Sequence, residues 1–295
     1  MKITEILNRQ GLGLSFEVFP PKESTSLERV RESALKIANL KPDFLSVTYG
    51  AGGQGGRWTV EIARDIQQET GVPAMAHLTC IASSREALKA RVREIRENGI
   101  ENIMALRGDL PQNADALRPD DQAFGHASEL IAMLREELGD EVSIGGACYP
   151  EIHPESETLE SDIRYLRAKV DAGCDFLTTQ MFFDNALFYR FLYRLREAGV
   201  MVPVVPGIMP ITSSRQIERA RKLSGSFMPQ RFLSLVDSFG HSPEAMEQAG
   251  IIYATDQIID LFANHVRHVH VYTMNHPHVA QAILENLAAV LKADV

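Results

Sequence analysis

The stretch LGLSFEVFPPKE (residues 12–23) sets an acid in the middle of an apolar run that stops at two prolines. Alternation along an extended chain puts Leu14, Phe16 and Val18 on one face and Ser15, Glu17 and Phe19 on the other. The run therefore reads as a strand with one apolar side, ended where proline removes the backbone donor. The other side carries a carboxylate near aromatic neighbours. Burial in such surroundings raises a carboxyl pKa and keeps a proton available near neutrality, as a general acid requires. The alternative is a structural ion pair with a cation such as Arg107.

Seven comparable runs follow: FLSVTYG (44–50), PAMAHLTC (73–80), NIMALRGD (102–109), VSIGGACYP (142–150), DFLTTQMFF (175–183), VPVVPGIMP (202–210) and HVHVYTMN (268–275). Between them lie stretches with apolar residues at three- and four-residue spacing, such as SLERVRESALKIANL (26–40), SREALKARVREIRENG (84–99) and SDIRYLRAKVDAG (161–173). Strand–helix alternation implies parallel strands. Eight units of about 30 residues favour a single (β/α)8 TIM barrel, an α/β fold, over an open doubly wound sheet. The longer interval 211–267 predicts an additional helix around MPQRFLSLVDSF before the last strand, ahead of DQIIDLFANH. No linker or repeat interrupts the chain, which reads as one catalytic domain, 1–295.

Composition narrows the function. The 295 residues are 45% hydrophobic and 23% charged, with 30 basic against 39 acidic side chains and a net charge of -9. No basic stripe offers a footprint for nucleic acid or an anionic membrane, so a small-molecule substrate is expected. No window reaches the roughly 18–20 apolar residues of a membrane span. Cys80, Cys148 and Cys174 are isolated, and the amino terminus has no leader pattern, pointing to a reduced cytoplasmic setting.

In a barrel of this kind the chemistry gathers at the carboxyl ends of the strands. The polar residues there are Glu17, Thr48, His77, Arg107 with Asp109, Tyr149 with His153, Gln180, and Tyr272 with Asn275. RGD (107–109) is either a salt-bridged turn or a pair that grips an anion and a heterocycle. HLTC (77–80) has metal-compatible spacing but reads better as a core histidine, and HVH (268–270) lies at the amino end of its strand, far from the mouth, so no metal site is expected. GAGGQGG (50–56) lacks the spacing of a P-loop or a dinucleotide fold. Lys169 and Asp162 read as surface charges, and Phe182, Phe183, Phe188 and Phe191 as core.

Taken together, SFEVFPPK, SVTYGAGG, AHLTC, ALRGDLP, CYPEIHPE, KVDAGCDFLTTQMFFD, PGIMPI and VHVYTMN resemble, in order, the motifs of bacterial methylenetetrahydrofolate reductase, from about residue 14 to 290. The resemblance implies a flavin barrel that passes hydride from NADH or NADPH through FAD to methylenetetrahydrofolate in ping-pong fashion. It makes Glu17 the acid and Asp109 its catalytic partner. It places Thr48, His77, Arg107, Gly108, Asp109, Tyr149, His153, Asp162 and Lys169 around FAD, and Glu17, Asp109, Gln180 and Gln216 at folate. Three positions depart from the family pattern: His276 stands where Arg usually meets the folate tail, Ala220 where an aromatic stacks, and Trp58 where an acid is common. The family's homo-oligomers are expected too, without the regulatory domain of eukaryotic members or control by adenosylmethionine. A folate- or flavin-binding barrel without turnover, or a flavin barrel oxidising proline or an amine, are the alternatives.

Overall fold

The computed structural model describes residues 1–21, 26–50, 55–109 and 123–293, apart from the side chains of 55, 219 and 221–224. Most of GAGGQGG lies outside the described residues. Nine strands run in parallel: β1 (Gly13–Val18), β2 (Leu45–Val47), β3 (Ala74–Thr79), β4 (Asn102–Leu106), β5 (Ser143–Cys148), β6 (Phe176–Thr179), β7 (Val204–Val205), β8 (Gly207–Ile208) and β9 (His268–Tyr272). Their order is β7-β6-β5-β4-β3-β2-β1-β9-β8. The run expected as the seventh strand is split by Pro206: β7 pairs with β6, β8 pairs with β9, and the wall closes through that one interrupted strand. Proline has no N–H for the ladder, so pairing breaks there. The result is an α/β TIM barrel whose seventh stave is in two pieces.

Helices cover the wall: α1 (Ile3–Leu7), α2 (Leu27–Ala38), α3 (Gly55–Thr70), α4 (Arg85–Glu97), α5 (Ala127–Leu138), α6 (Leu159–Asp171), α7 (Asn185–Glu197), α8 (Ser214–Ser224), α9 (Gln230–Phe239), α10 (Pro243–Ala263) and α11 (Pro277–Leu287). Several start on a side-chain cap, with Ser26, Ser84, Thr158 and Asp184 each accepting a backbone N–H of the first turn. Before the last strand the single additional helix expected from the sequence is one of three, α8, α9 and α10.

Strand alternation sorts the core. Leu14, Phe16 and Val18 pack outward with Val30, Ile37 and Ile283 of the helices, which leaves Ser15 and Glu17 for the lumen. At the amino end, α1 closes the barrel by setting Ile3 and Ile6 against Phe44, Met75, Met104 and Phe176. A five-residue helix has no stability of its own. Burying two isoleucines at about 1.5–3 kcal/mol each is what keeps it in place. A further cluster of Met181, Phe183, Met209, Phe232 and Tyr253 lies beneath α8–α10. All three cysteines are free and buried, and no described helix is long and apolar enough to cross a membrane.

Candidate active site

Glu17 points into the barrel, 20% exposed. Its Oε2 accepts from Ser46 Oγ at 3.1 Å and lies 3.6 Å from His77 Nε2 and 3.7 Å from His270 Nε2. The sequence suggested aromatic surroundings, but Phe16 belongs to the opposite face and the lumen neighbours are polar. Burial pushes the carboxyl up; the close approach of His270 and His77 and the Ser46 hydroxyl outweigh it, and the net shift is downward. The expected raised pKa is therefore corrected: Glu17 rests as a carboxylate at neutral pH. Burial holds His77 down to about 4, so its imidazole is neutral there.

The ion pair offered as the structural alternative does not form. Arg107 instead holds Glu155 through two contacts of 2.5 and 2.7 Å. Both belong to the motifs at the mouth, although Glu155 was not singled out in the sequence. Gly108 makes the turn between Arg107 and Asp109 possible: its φ is +88°, and a Cβ would sit 2.9 Å from Thr79 Cβ. Asp109 is thereby presented at the surface of the mouth, near enough to act electrostatically on Arg107 and Tyr149.

A second group forms around the end of β5. Tyr149 meets His153 edge-on at 4.7 Å, and Gln180 hydrogen-bonds to Tyr149. Asp162 accepts from His153 N at 3.0 Å and Ser156 Oγ at 3.2 Å, while Glu155 N donates to His153 Nδ1 at 3.1 Å. Asp162 is thus buried and spoken for rather than a solvated charge. Lys169 is not a surface charge either: its Nζ donates to Ala147 O at 2.8 Å, and burial lowers its pKa. Among the described residues it has no carboxylate partner in an ion pair.

Other expected residues stand at the same end. Thr48 donates its N–H to Val18 O at 3.0 Å and accepts Thr59 Oγ1 on its carbonyl at 2.8 Å. Gln216 spends its amide oxygen on Thr212 N at 2.7 Å. His276 is exposed before α11, edge-on to His278 at 5.4 Å. Ala220 is buried in the methionine-rich cluster. In the loop between α8 and α9, however, Phe227 is 53% exposed, its N–H held by the Glu151 carboxylate at 2.8 and 3.0 Å.

The sequence reading missed the lumen below Glu17. Of HVH, His268 lies at the amino end as expected, but His270 is not remote from the mouth: it lies opposite Ser15 in the ladder, one layer beneath Glu17, and reaches its carboxylate. Tyr272 is opposite Glu17 and donates to Thr179 O at 2.5 Å across Gly207, where a Cβ would meet both atoms at 2.5 Å. No cluster of three or more metal-ligating side chains occurs among the described residues.

This arrangement of strand-end motifs coincides with a family model described as methylenetetrahydrofolate reductase, which matches residues 2–288. The chain belongs to the methylenetetrahydrofolate reductase family. It is 36% identical over 276 residues to the 5,10-methylenetetrahydrofolate reductase of Pectobacterium carotovorum, covering 94% of this chain and 90% of that one. It is 34% identical to the Escherichia coli protein of the same name, with the same coverage. Methylenetetrahydrofolate reductase (NADH) 1 of Arabidopsis thaliana is 34% identical over 298 residues, 98% of this chain and 50% of its own length. The chain thus spans about half the length of its plant relatives. Among solved structures, an uncharacterized Clostridium thermocellum protein that binds two copies of 5-methyl-5,6,7,8-tetrahydrofolic acid matches with a TM-score of 0.67 at 14% identity, over 98% of this chain and all of that one. At that identity the likeness speaks for the barrel of this reductase-family chain alone.

Proposed function

We propose that this protein reduces 5,10-methylenetetrahydrofolate to 5-methyltetrahydrofolate with hydride drawn from NADH or NADPH by way of FAD. The observation that carries the reading is the Glu17 carboxylate inside the barrel mouth, beside Ser46, His77 and His270. Membership of the reductase family and the names of the bacterial relatives support it.

The residues present fit a flavin. His77 Nε2 is buried without a hydrogen-bond partner, and buried nitrogens ordinarily have one; the polar edge of a heterocycle at the mouth would complete it. Arg107 and Lys169 bring positive charge suited to a diphosphate, with Thr48, Gly108, Tyr149, His153 and Asp162 shaping the cradle. Arg107 reaches that role only by sharing or leaving Glu155. When bound, FAD supplies the hydride that no amino-acid side chain can carry.

The side chains then handle substrate and proton. Asp109 accepts hydrogen bonds from the amino and ring N–H groups of a pterin, and Gln180, Gln216 and His276 complete the folate contacts. Glu17 delivers a proton to the departing ring nitrogen. The methylene bridge then opens to an iminium, which the hydride reduces to the methyl group. Nicotinamide and folate would each have to reach the bound flavin, and sharing one side of it would make the kinetics ping-pong. The setting is the cytoplasm and the assembly a homo-oligomer.

The test separates the two half-reactions in flavin-loaded protein under anaerobic conditions. Glu17→Gln should leave bleaching by NADH or NADPH nearly intact and slow methylenetetrahydrofolate reduction by about 10²- to 10⁴-fold. Equal loss of both, or of neither, would overturn the assignment.

A further inference from the structure

A carboxylate that rests ionised needs a proton before it can act as an acid. Below Glu17 the lumen holds a continuous polar column. Ser46 Oγ, which donates to Glu17 at 3.1 Å, is 3.2 Å from His270 Nε2. His270 Nδ1 is 2.7 Å from Ser15 Oγ, and Ser15 Oγ is 3.2 Å from His268 Nε2. His268 Nδ1 faces Asp43 Oδ2 at 3.6 Å. Ser15, Ser46 and His270 are almost fully excluded from solvent and His268 nearly so, whereas the Asp43 carboxylate is 33% exposed. It lines a groove of about 480 Å³ at the amino end with Arg9, Lys41 and Thr70. Glycine at position 13 leaves this last step open, because a Cβ there would lie 2.2 Å from Asp43 Oδ2 and 2.6 Å from His268 Nδ1.

From this column we infer that Asp43, His268, Ser15, His270 and Ser46 form a relay that carries protons from the amino-end surface through the barrel to Glu17 while substrate covers the mouth.

One set of donors satisfies the four hydrogen-bonded links, and the fifth step spans 3.6 Å between Asp43 Oδ2 and His268 Nδ1. Ser46 Oγ–H points to Glu17, His270 Nε2–H to Ser46, Ser15 Oγ–H to His270 Nδ1, His268 Nε2–H to Ser15, and protonated Asp43 to His268 Nδ1. Each group passes one proton upward and takes one from below. Glu17 becomes the neutral acid, Asp43 becomes the carboxylate and regains a proton from water, and the serines end as they began. Both imidazoles are left as Nδ1–H tautomers, so the column resets by reorienting between turnovers. Burial raises the Asp43 pKa, against the Leu14 backbone and Arg9, and so favours the protonated form that starts the sequence. Phe44 stacks on both imidazoles, 5.3 Å from His268 and 5.8 Å from His270 at interplanar angles of 7° and 12°, and holds the two rings in line. Charged and titratable neighbours of the upper end are His77 and Tyr272, neither of which bridges to bulk water at the amino end. The inference rests on Glu17 being the proton donor of the proposed reaction.

Two measurements on the full chain test it. In uniformly 15N-labelled protein the ring nitrogens of His268 and His270 should both report the neutral Nε2–H tautomer at pH 7; an Nδ1–H tautomer at either would break the column and overturn the relay. In flavin-loaded Ser15→Ala and Asp43→Asn, folate reduction should slow about 10-fold or more relative to flavin reduction by NADH in the same variant, with a larger solvent deuterium isotope effect. Asp43→Asn, at a partly exposed position, guards against a folding defect at fully buried Ser15. If Glu17→Gln blocks folate reduction while both relay variants keep the wild-type ratio, the relay alone is wrong. If Glu17→Gln leaves folate reduction intact, the acid assignment is wrong and the relay goes with it.

Discussion

Asn275 grips the backbone of Phe19 from both sides: its Oδ1 accepts from Phe19 N and its Nδ2 donates to Phe19 O, each at 2.9 Å. The two residues are 256 positions apart in sequence, and the clasp ties the chain leaving β9 to the chain leaving β1 just above Glu17. Thr273 adds a bond from Oγ1 to Glu17 O at 2.7 Å. An asparagine among the polar strand ends thus shapes the mouth through the backbone.

Asn275→Ala should therefore destabilise the fold by about 1–3 kcal/mol, from the lost pair of hydrogen bonds together with the φ of +59° that asparagine tolerates better than alanine. Urea unfolding measures this. Asn275→Gly, which keeps the backbone freedom but not the clasp, should recover part of the loss, and a neutral Asn275→Ala would refute the role.

Acid should weaken the fold well above the carboxylate range. Burial holds His77 down to about 4 and His268 to about 3, while an unfolded histidine titrates near 6.5. Below that value the unfolded chain binds protons that the native state refuses, so stability rises with pH and is lost as pH falls from about 6.5 toward 4. Each histidine contributes a slope of up to about 1.4 kcal/mol per pH unit. Glu17, whose carboxyl is shifted below its ordinary 4.5, adds a loss in the same direction at lower pH. Urea midpoints between pH 7.5 and 4.5 should show this slope, and His268→Asn should flatten it; a level wild-type curve contradicts neutral burial.

The Arg107–Glu155 pair should matter for binding more than for folding. Glu155 is 55% exposed on its side chain, and pairs in such settings contribute about 0–1 kcal/mol. Glu155→Ala should leave the melting temperature almost unchanged, while Arg107→Ala should lower the fraction of protein purified with flavin. Retention of flavin by Arg107→Ala at the wild-type level would remove Arg107 from the cradle.

Gly207→Ala should cost about 1–3 kcal/mol, because the added methyl meets a backbone carbonyl that cannot swing aside. Thermal unfolding checks the value. Tyr272→Phe, which removes the hydroxyl from the same contact, should partly relieve the clash in the double variant.

How much of this the amino-acid pattern revealed depends on range. Strand alternation set Phe16 and Glu17 on opposite faces, and strand–helix alternation yielded the barrel, because both are local periodicities. Pro206 was visible as a residue, but that it would cut the seventh strand depends on which neighbours each half pairs with. The lumen partners of Glu17 were not legible in the same way. His270 is the middle residue of β9 and pairs with Ser15, yet its ring reaches the Glu17 carboxylate, so the place of a residue in its own strand does not tell which groups it meets across the lumen. The same limit explains the pKa reversal: alternation reports which face a carboxylate takes, and the three polar groups it meets come from β2, β3 and β9. Glu155 and the clasp of Asn275 are likewise contacts between distant segments.

The seal of Ile3 and Ile6 against Phe44, Met75, Met104 and Phe176 gives the barrel a floor. In the proposed reaction both bulky reactants would then have to come from the opposite end. The proposed relay would let a proton, handed from side chain to side chain, arrive from underneath where neither reactant can.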